Sequence, residues 1–395
     1  MQTRYIIKNS AHTVDMKKLI FVTLLATSLA LPTALGNSKA TSEPCKAIYV
    51  CDAESGQVVE SYQEEEQLPI ASMCKVMTLL LGFEAIERGD LTLDEQITVS
   101  QHAAGMGGSQ VFLQENLSYP TAELLKSIAV CSANDSCVAI AERIAGTESA
   151  FIDAMNQRAK ELGADNTLFA NCTGLPLEPQ YSCAKDVSIM FRELLKHKQY
   201  FEYSKIWLED FSHPDGRITS MTNTNKLIRK LDGCDGGKTG FTNQAGFCLA
   251  ATVKRNDTRL ICVVIGATTS DERFRIVSDC TNCAFAAYEN RIIAQADRAL
   301  DETIPVRSGK VKEIAICPSR SLSIFTKKNQ EIEGISTNIL IDSQVRAPIS
   351  KGDCLGEMIL YRDGVEISRC DLIAMDDVER FSYFGAFRET SKYWN

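Results

Sequence analysis

The spacing of apolar and polar residues changes character along the chain. From Cys45 it is β-like: Ala47-Ile48-Tyr49-Val50 and Val58-Val59 flank the turn residues Glu54-Ser55-Gly56, which predicts a hairpin. Pro69 ends that extended part. Residues 76–83 are almost wholly apolar, and Gly89-Asp90 closes the run, so a buried helix is predicted to open at Ser72 and reach Glu87. Residues 91–100 read as a loop and a short strand. Residues 105–109 form a glycine-rich turn without the G-x-G-x-x-G spacing of a phosphate loop. Helical spacing returns from Thr121, over 138–144 up to Gly146, over 150–162 up to Gly163, and over 184–195. Residues 231–267 read as sheet, with one strand opening at Lys238 and others over 247–253 and 260–266. A last helix is predicted over 272–288. After Asp301 short alternating strands, with turns at Ser308-Gly309, Lys351-Gly352-Asp353 and Asp363-Gly364, predict a small all-β domain over 300–376.

The N-terminus has a different texture. Lys17-Lys18 precede an apolar run over 19–31, then Pro32 and the small-residue site Ala34-Leu35-Gly36. That is the layout of an export signal over 1–36, with an uncleaved anchor as the alternative, and the run is short for a membrane span. The fifteen residues before Met16 read as an upstream extension, with Met16 as an alternative start, and mature protein is expected from near Asn37. At the other end, residues 377–395 carry Phe381, Phe384 and Phe387 with Arg380, Arg388 and Lys392. This suits an amphipathic membrane-surface segment or a packed terminus.

Composition narrows the chemistry. The 395 residues suffice for two domains, and 51 acidic against 42 basic residues, with no basic block, argue against a nucleic-acid partner. Export permits disulfides, yet the fifteen cysteines are scattered and several sit in apolar periodic runs, where a thiol packs as a small hydrophobe. Cys280 and Cys283 make one C-x-x-C with no second ligand pair, a weak zinc or redox signal. Reduced cysteines in an exported protein would suit an anaerobic niche. The stretch 233–239 imitates a nucleotide loop, but Asp232 stands where the first glycine is required.

The chemistry-bearing stretch is Ile70-Ala71-Ser72-Met73-Cys74-Lys75. Residues i and i+3 share a helix face, so Ser72 and Lys75 can meet. Serine becomes a nucleophile when a base takes its proton, and an amine serves as that base once burial or neighbouring cations disfavour its charge. An N-cap serine beside a surface lysine is the ordinary alternative for this tetrapeptide. Two later stretches change the balance: Cys131-Ser132-Ala133-Asn134-Asp135 and Gly237-Lys238-Thr239-Gly240. Ser-x-x-Lys, a Ser-x-Asn loop and Lys-Thr-Gly, in this order, are the signature of penicillin-binding proteins and class A β-lactamases.

With these motifs in place, and with Leu68-Pro69-Ile70-Ala71-Ser72, Met155-Asn156, Leu162-Gly163, Thr173-Gly174-Leu175 and Asp235 to Thr242, the chain resembles the D-alanyl-D-alanine carboxypeptidases over about residues 40–376. The resemblance implies an α/β (α+β) transpeptidase-like domain over 40–295, an antiparallel sheet with helical layers, followed by the β domain. It implies acyl transfer on peptidoglycan stem peptides ending in D-Ala-D-Ala, inhibition by β-lactams, an extracytoplasmic location and no cofactor. Carried over, Ser72 is the nucleophile, Lys75 the proton acceptor, Ser132 a proton relay and Asn134 an orienting residue. Lys238, Thr239 and Gly240 bind substrate, the Ser72 and Phe241 backbone N–H groups hold the oxyanion, and Arg273 stands where some relatives bind a carboxylate. Asn134 as a helix cap and Arg273 as a surface helix residue are the plain alternatives. Cys74 and Cys131 depart from the usual flanking residues and are expected to pack rather than react. A class A β-lactamase would add a deacylating glutamate; Glu178 lies in the broad region, but residues 174–178 do not resemble that loop. A non-catalytic wall-binding module with a relic site is the other alternative.

Overall fold

Residues 44–289 assemble into one compact unit in the computed structural model, which describes residues 4–9, 44–342 and 345–381. Its centre is α1 (Lys75–Glu87), ten of whose thirteen residues are buried. A helix apolar on every side belongs inside a core rather than on its surface. Leu79, Leu80 and Phe83 lie in that core, and each such side chain contributes about 1.5–3 kcal/mol by burial. The preceding residues Ala71–Cys74 form one tight 3-10 turn, so the helix is entered through Ser72 as its spacing predicts.

Helices α2 (Gln101–Ala104), α3 (Thr121–Cys131), α4 (Asn134–Ala145), α5 (Glu148–Glu161) and α6 (Ala184–Leu194) follow, and α1 packs against α3, α4, α5 and α6. Then come α7 (Lys198–Ser204), α8 (Leu227–Lys230) and α9 (Ser270–Ala287). The sheet has five antiparallel strands in the order Val58–Tyr62, Ala47–Asp52, Thr258–Ala267, Gly246–Arg255, Cys234–Thr242. In the central strand Ile261, Val263 and Ile265 join the α1–α6 core, while the alternate residues Leu260, Cys262 and Val264 are also buried, and Cys262 meets Cys280 of α9. Helices on both faces explain why this strand reads as a continuous apolar run.

The sequence misplaced one strand boundary that matters. The edge strand starts at Cys234, so Lys238 lies in mid-strand rather than opening it. Cys-Asp-Gly-Gly carries no β-forming side chain, and the register slips between Cys234 and Gly236. Tertiary partners hold it extended: Gly237 N–H donates to the Tyr200 hydroxyl at 3.1 Å, and Arg259 clamps Asp235 with bonds of 2.7 and 2.8 Å. Helix α7 and the hairpin Leu208–Ser212/Ile218–Thr222 carried no periodic signal. Each hairpin strand buries one residue, Phe211 or Met221, and leaves Leu208 and Ile218 exposed.

The second unit takes in the described residues from 290 to 381 and an N-terminal strand. Its six-stranded sheet runs Arg4–Asn9, Ile335–Asp342, Cys354–Arg362, Val365–Ala374, Glu313–Pro318, Thr303–Pro305, antiparallel at each junction, around Ile316, Leu322, Leu360 and Leu372. A separate ribbon pairs Tyr288–Ala294 with Leu322–Lys327, so the β texture begins before residue 300. The apolar part of the predicted export segment and the tail residues Phe384, Phe387, Arg388 and Lys392 lie outside the described residues. Among the described residues no helix is long and apolar enough to cross a membrane.

Candidate active site

Ser72 sits on a strained corner. Ala71 before it has φ +48°, a left-handed conformation that costs an alanine about 1–3 kcal/mol. Neither the 3-10 turn nor α1 uses a side-chain cap, so the Ser72 hydroxyl is not spent on capping. Instead Lys75 Nζ donates to Ser72 Oγ at 2.9 Å and also to the carbonyl of Thr173. Lys75 is fully buried, while Ser72 is half-buried and reachable. Two glycines permit this crowding. A Cβ at Gly174, whose φ is +81°, would stand 2.1 Å from Ala71 O, and one at Gly240 would stand 2.6 Å from Ile70 O and 3.2 Å from Ser72 N.

A second serine–lysine pair lies within reach of the Lys75 charge. Ser132 ends α3 in a left-handed conformation (φ +68°), which turns the chain into α4. Lys238 Nζ donates to Ser132 Oγ at 2.8 Å and to Thr239 O at 3.1 Å. Burial removes water from the Lys238 amine, the Lys75 charge adds to that penalty, and its pKa is held well below the ordinary lysine range. Asn134 opens α4 but does not cap it: its Nδ2 donates to Gly107 O at 2.7 Å, and its Oδ1 is buried without a partner. Thr239 Oγ1 donates to Thr224 Oγ1 at 2.8 Å. Phe241, 51% exposed, stacks on Phe247 with ring centroids 4.3 Å apart.

Residues 36–269, all of these groups among them, match the D-alanyl-D-alanine carboxypeptidase family. The chain belongs to that family. Residues 288–380 match the C-terminal domain of penicillin-binding protein 5. The chain is 35% identical to D-alanyl-D-alanine carboxypeptidase DacF of Bacillus subtilis over 96% of this chain and 99% of that one. It is 30% identical to DacC of Escherichia coli over 90% of each. Among solved structures, a D-alanyl-D-alanine carboxypeptidase DacD from Francisella tularensis superposes with a TM-score of 0.63 at 26% identity, over 85% of this chain and 94% of that one. An ampicillin-bound penicillin-binding protein D2 from Listeria monocytogenes gives 0.55 at 27% identity, over 61% and 98%.

In this carboxypeptidase Arg273 is not a surface helix residue. It is 8% exposed in the first turn of α9, its guanidinium lies 4.7 Å from the Phe274 ring, and burial lowers its pKa to about 10. Nη1 donates to Gly240 O at 3.1 Å and Cys248 O at 3.2 Å, so the arginine grips the backbone of the Lys-Thr-Gly strand. Its Nε is buried without a partner. The flanking thiols pack. Cys74 is fully buried and donates to Asn171 O at 3.2 Å; burial pushes its pKa up. Burial likewise raises Cys131 to about 11. All fifteen cysteines are free thiols, and no described cluster of His, Cys, Asp and Glu could hold a metal ion. Glu178 is exposed and accepts a bond from Gln244 at 3.0 Å, at the rim of a groove lined by Ile70, Ala71 and Leu175.

Sequence reasoning missed the Thr173 carbonyl, the Gly107 carbonyl and Thr224. Two of these act through backbone atoms, which leave no residue-type signature, and Thr224 lies in a stretch with no periodicity.

Proposed function

We propose that Ser72 is the acyl-ester nucleophile of a serine-type D-Ala-D-Ala carboxypeptidase that removes the terminal D-alanine from peptidoglycan stem peptides. The observation that carries this is the pairing of a reachable serine hydroxyl with a fully buried amine at 2.9 Å. Ser72 Oγ attacks the penultimate D-Ala carbonyl carbon while Lys75 takes the hydroxyl proton. The resulting oxyanion is held by the backbone N–H groups of Ser72 and Phe241, consistent with how closely the Gly240 backbone abuts Ser72 N. Collapse breaks the C–N bond, and Ser132 passes a proton to the departing D-Ala amine. Water then attacks the ester and regenerates Ser72. Asn134 orients Lys75 through its unpartnered Oδ1 and the substrate amide through Nδ2. Lys238 and Thr239 meet the substrate carboxylate, and Arg273 acts on that same subsite by holding the Gly240 carbonyl. Every step uses side chains, backbone amides and water.

The substrate places the enzyme outside the cytoplasmic membrane, at the cell wall. The export segment supports that location, and the aromatic-basic tail supports contact with the membrane surface. Purified enzyme should release D-Ala from diacetyl-Lys-D-Ala-D-Ala, and penicillin G should stop it. A preparation that binds wall material yet releases no D-Ala would reverse the reading in favour of a binding module.

A further inference from the structure

The carbonyl that grips Lys75 belongs to a turn, and that turn has an anionic anchor the mechanism has not used. Asn171 folds the turn: its Oδ1 accepts the N–H groups of Thr173 (3.1 Å) and Gly174 (2.7 Å) and the Thr173 hydroxyl (3.0 Å). Thr78 of α1 donates to Cys172 O at 2.7 Å. From α5, Glu148 Oε1 accepts both the N–H and the thiol of Cys172, each at 3.2 Å. Glu148 Oε2 pairs with His102 Nε2 of α2 at 2.8 Å, and the two side chains are 18% and 55% exposed. Burial alone would raise the Glu148 pKa, but the bonds from His102 and Cys172 outweigh it and hold the carboxyl below its ordinary range. A chain of contacts therefore runs from solvent through His102 and Glu148 to the N–H and thiol of Cys172 and, one residue on, from the Thr173 carbonyl to Lys75.

We propose that Glu148, backed by His102, is a positioning residue for the general base: it fixes Cys172 through its N–H and thiol and so aims the carbonyl of the next residue, Thr173, which holds Lys75. This rests on the reading of Lys75 as proton acceptor. The amine that donates to Ser72 Oγ becomes a base once it loses a proton; it then has two N–H bonds and one lone pair, and it accepts a proton only when that lone pair faces the donor. An N–H committed to the Thr173 carbonyl turns the lone pair toward Ser72. Displacing an anchor by 1 Å is the kind of change that costs about 10²-fold in rate.

The groups facing Glu148 are His102 from α2 and Cys172 from the turn, with the thiols of Cys74 and Cys137 within its field. The test uses full-chain Glu148→Gln, Glu148→Asp and His102→Gln, each normalised to the sites that penicillin G titrates. Glu148→Gln should lower kcat for D-Ala release and the penicillin acylation rate about 10–100-fold, with KM within about twofold of wild type. The acid limb of its acylation–pH profile should move by at least about 0.5 pH unit, because an anion beneath the base is gone. Glu148→Asp should recover part of the rate, and His102→Gln should cost about threefold. A merely structural carboxylate would lower the titratable fraction and the melting temperature but leave the rate per titrated site and the pH profile at wild-type values. That result overturns the proposal. Wild-type enzyme that forms no penicillin adduct would instead overturn the underlying Ser72–Lys75 reading, a failure seen before any variant is compared.

Discussion

Two serine–lysine pairs lie within electrostatic reach of one another, and they are built by different means. Ser72 and Lys75 share one turn, so helix periodicity alone brings Nζ to 2.9 Å from Oγ. Ser132 and Lys238 reach 2.8 Å only because the α3–α4 corner folds against the edge strand. Ser72 is reachable whereas Ser132 is 4% exposed. Lys75 is tied to a carbonyl on a braced turn, whereas Lys238 is a buried amine whose charge is opposed by burial and by Lys75. On the proposed mechanism the same two functional groups thus serve different steps: the reachable pair attacks, and the buried pair relays protons and binds the carboxylate.

That division is open to attack from several sides. Replacing each lysine should separate the pairs most: Lys75→Met should slow acylation by a fluorescent penicillin about 10³–10⁴-fold, the upper part of the range for loss of a general base. Lys238→Met should cost about 10²–10³-fold, the range for a lost electrostatic contact. Equal losses would erase the distinction. Ser132→Ala should still form an acyl-enzyme, with D-Ala release reduced about 10²-fold, since proton delivery to the leaving amine is what it loses. Gly240→Ala should destabilise the protein by about 1–3 kcal/mol in urea unfolding, because its new Cβ meets the Ile70 carbonyl at 2.6 Å.

The smallest effect concerns pH. Lys238 has a folded pKa far below its unfolded value of about 10.5, so between those values the unfolded chain binds more protons and stability rises with pH. The penalty is complete below the folded pKa and gone above about 10.5. Lys238→Met should therefore be more stable than wild type at pH 7, and the gap should narrow by pH 10. A gap independent of pH would mean that Lys238 is not destabilised as a cation.

Much of this was legible in the sequence, for reasons that differ by element. The buried helix after Ser72 and the two central strands were visible because their apolar periods are long and uninterrupted. The Ser72–Lys75 pairing followed from i, i+3 spacing, but the Ser132–Lys238 pairing did not, and those residues were found only through family resemblance. Arg273 was placed by the same resemblance; its grip on the Gly240 and Cys248 carbonyls needed the folded sheet. The stretch before Lys238 was hidden because Cys-Asp-Gly-Gly takes its strand form from Tyr200 and Arg259. The Thr173 carbonyl and its support by Glu148 were out of reach, since a backbone oxygen has no sequence signature and Glu148 looks like any acidic residue at a helix start.

The most direct test of the central claim is intact-mass spectrometry of the purified protein after incubation with penicillin G, beside Ser72→Ala. The account predicts a lasting adduct of one penicillin per chain on the wild type and none on the variant. An adduct that persists in Ser72→Ala, or penicillin destroyed rapidly with no adduct on either protein, would contradict it.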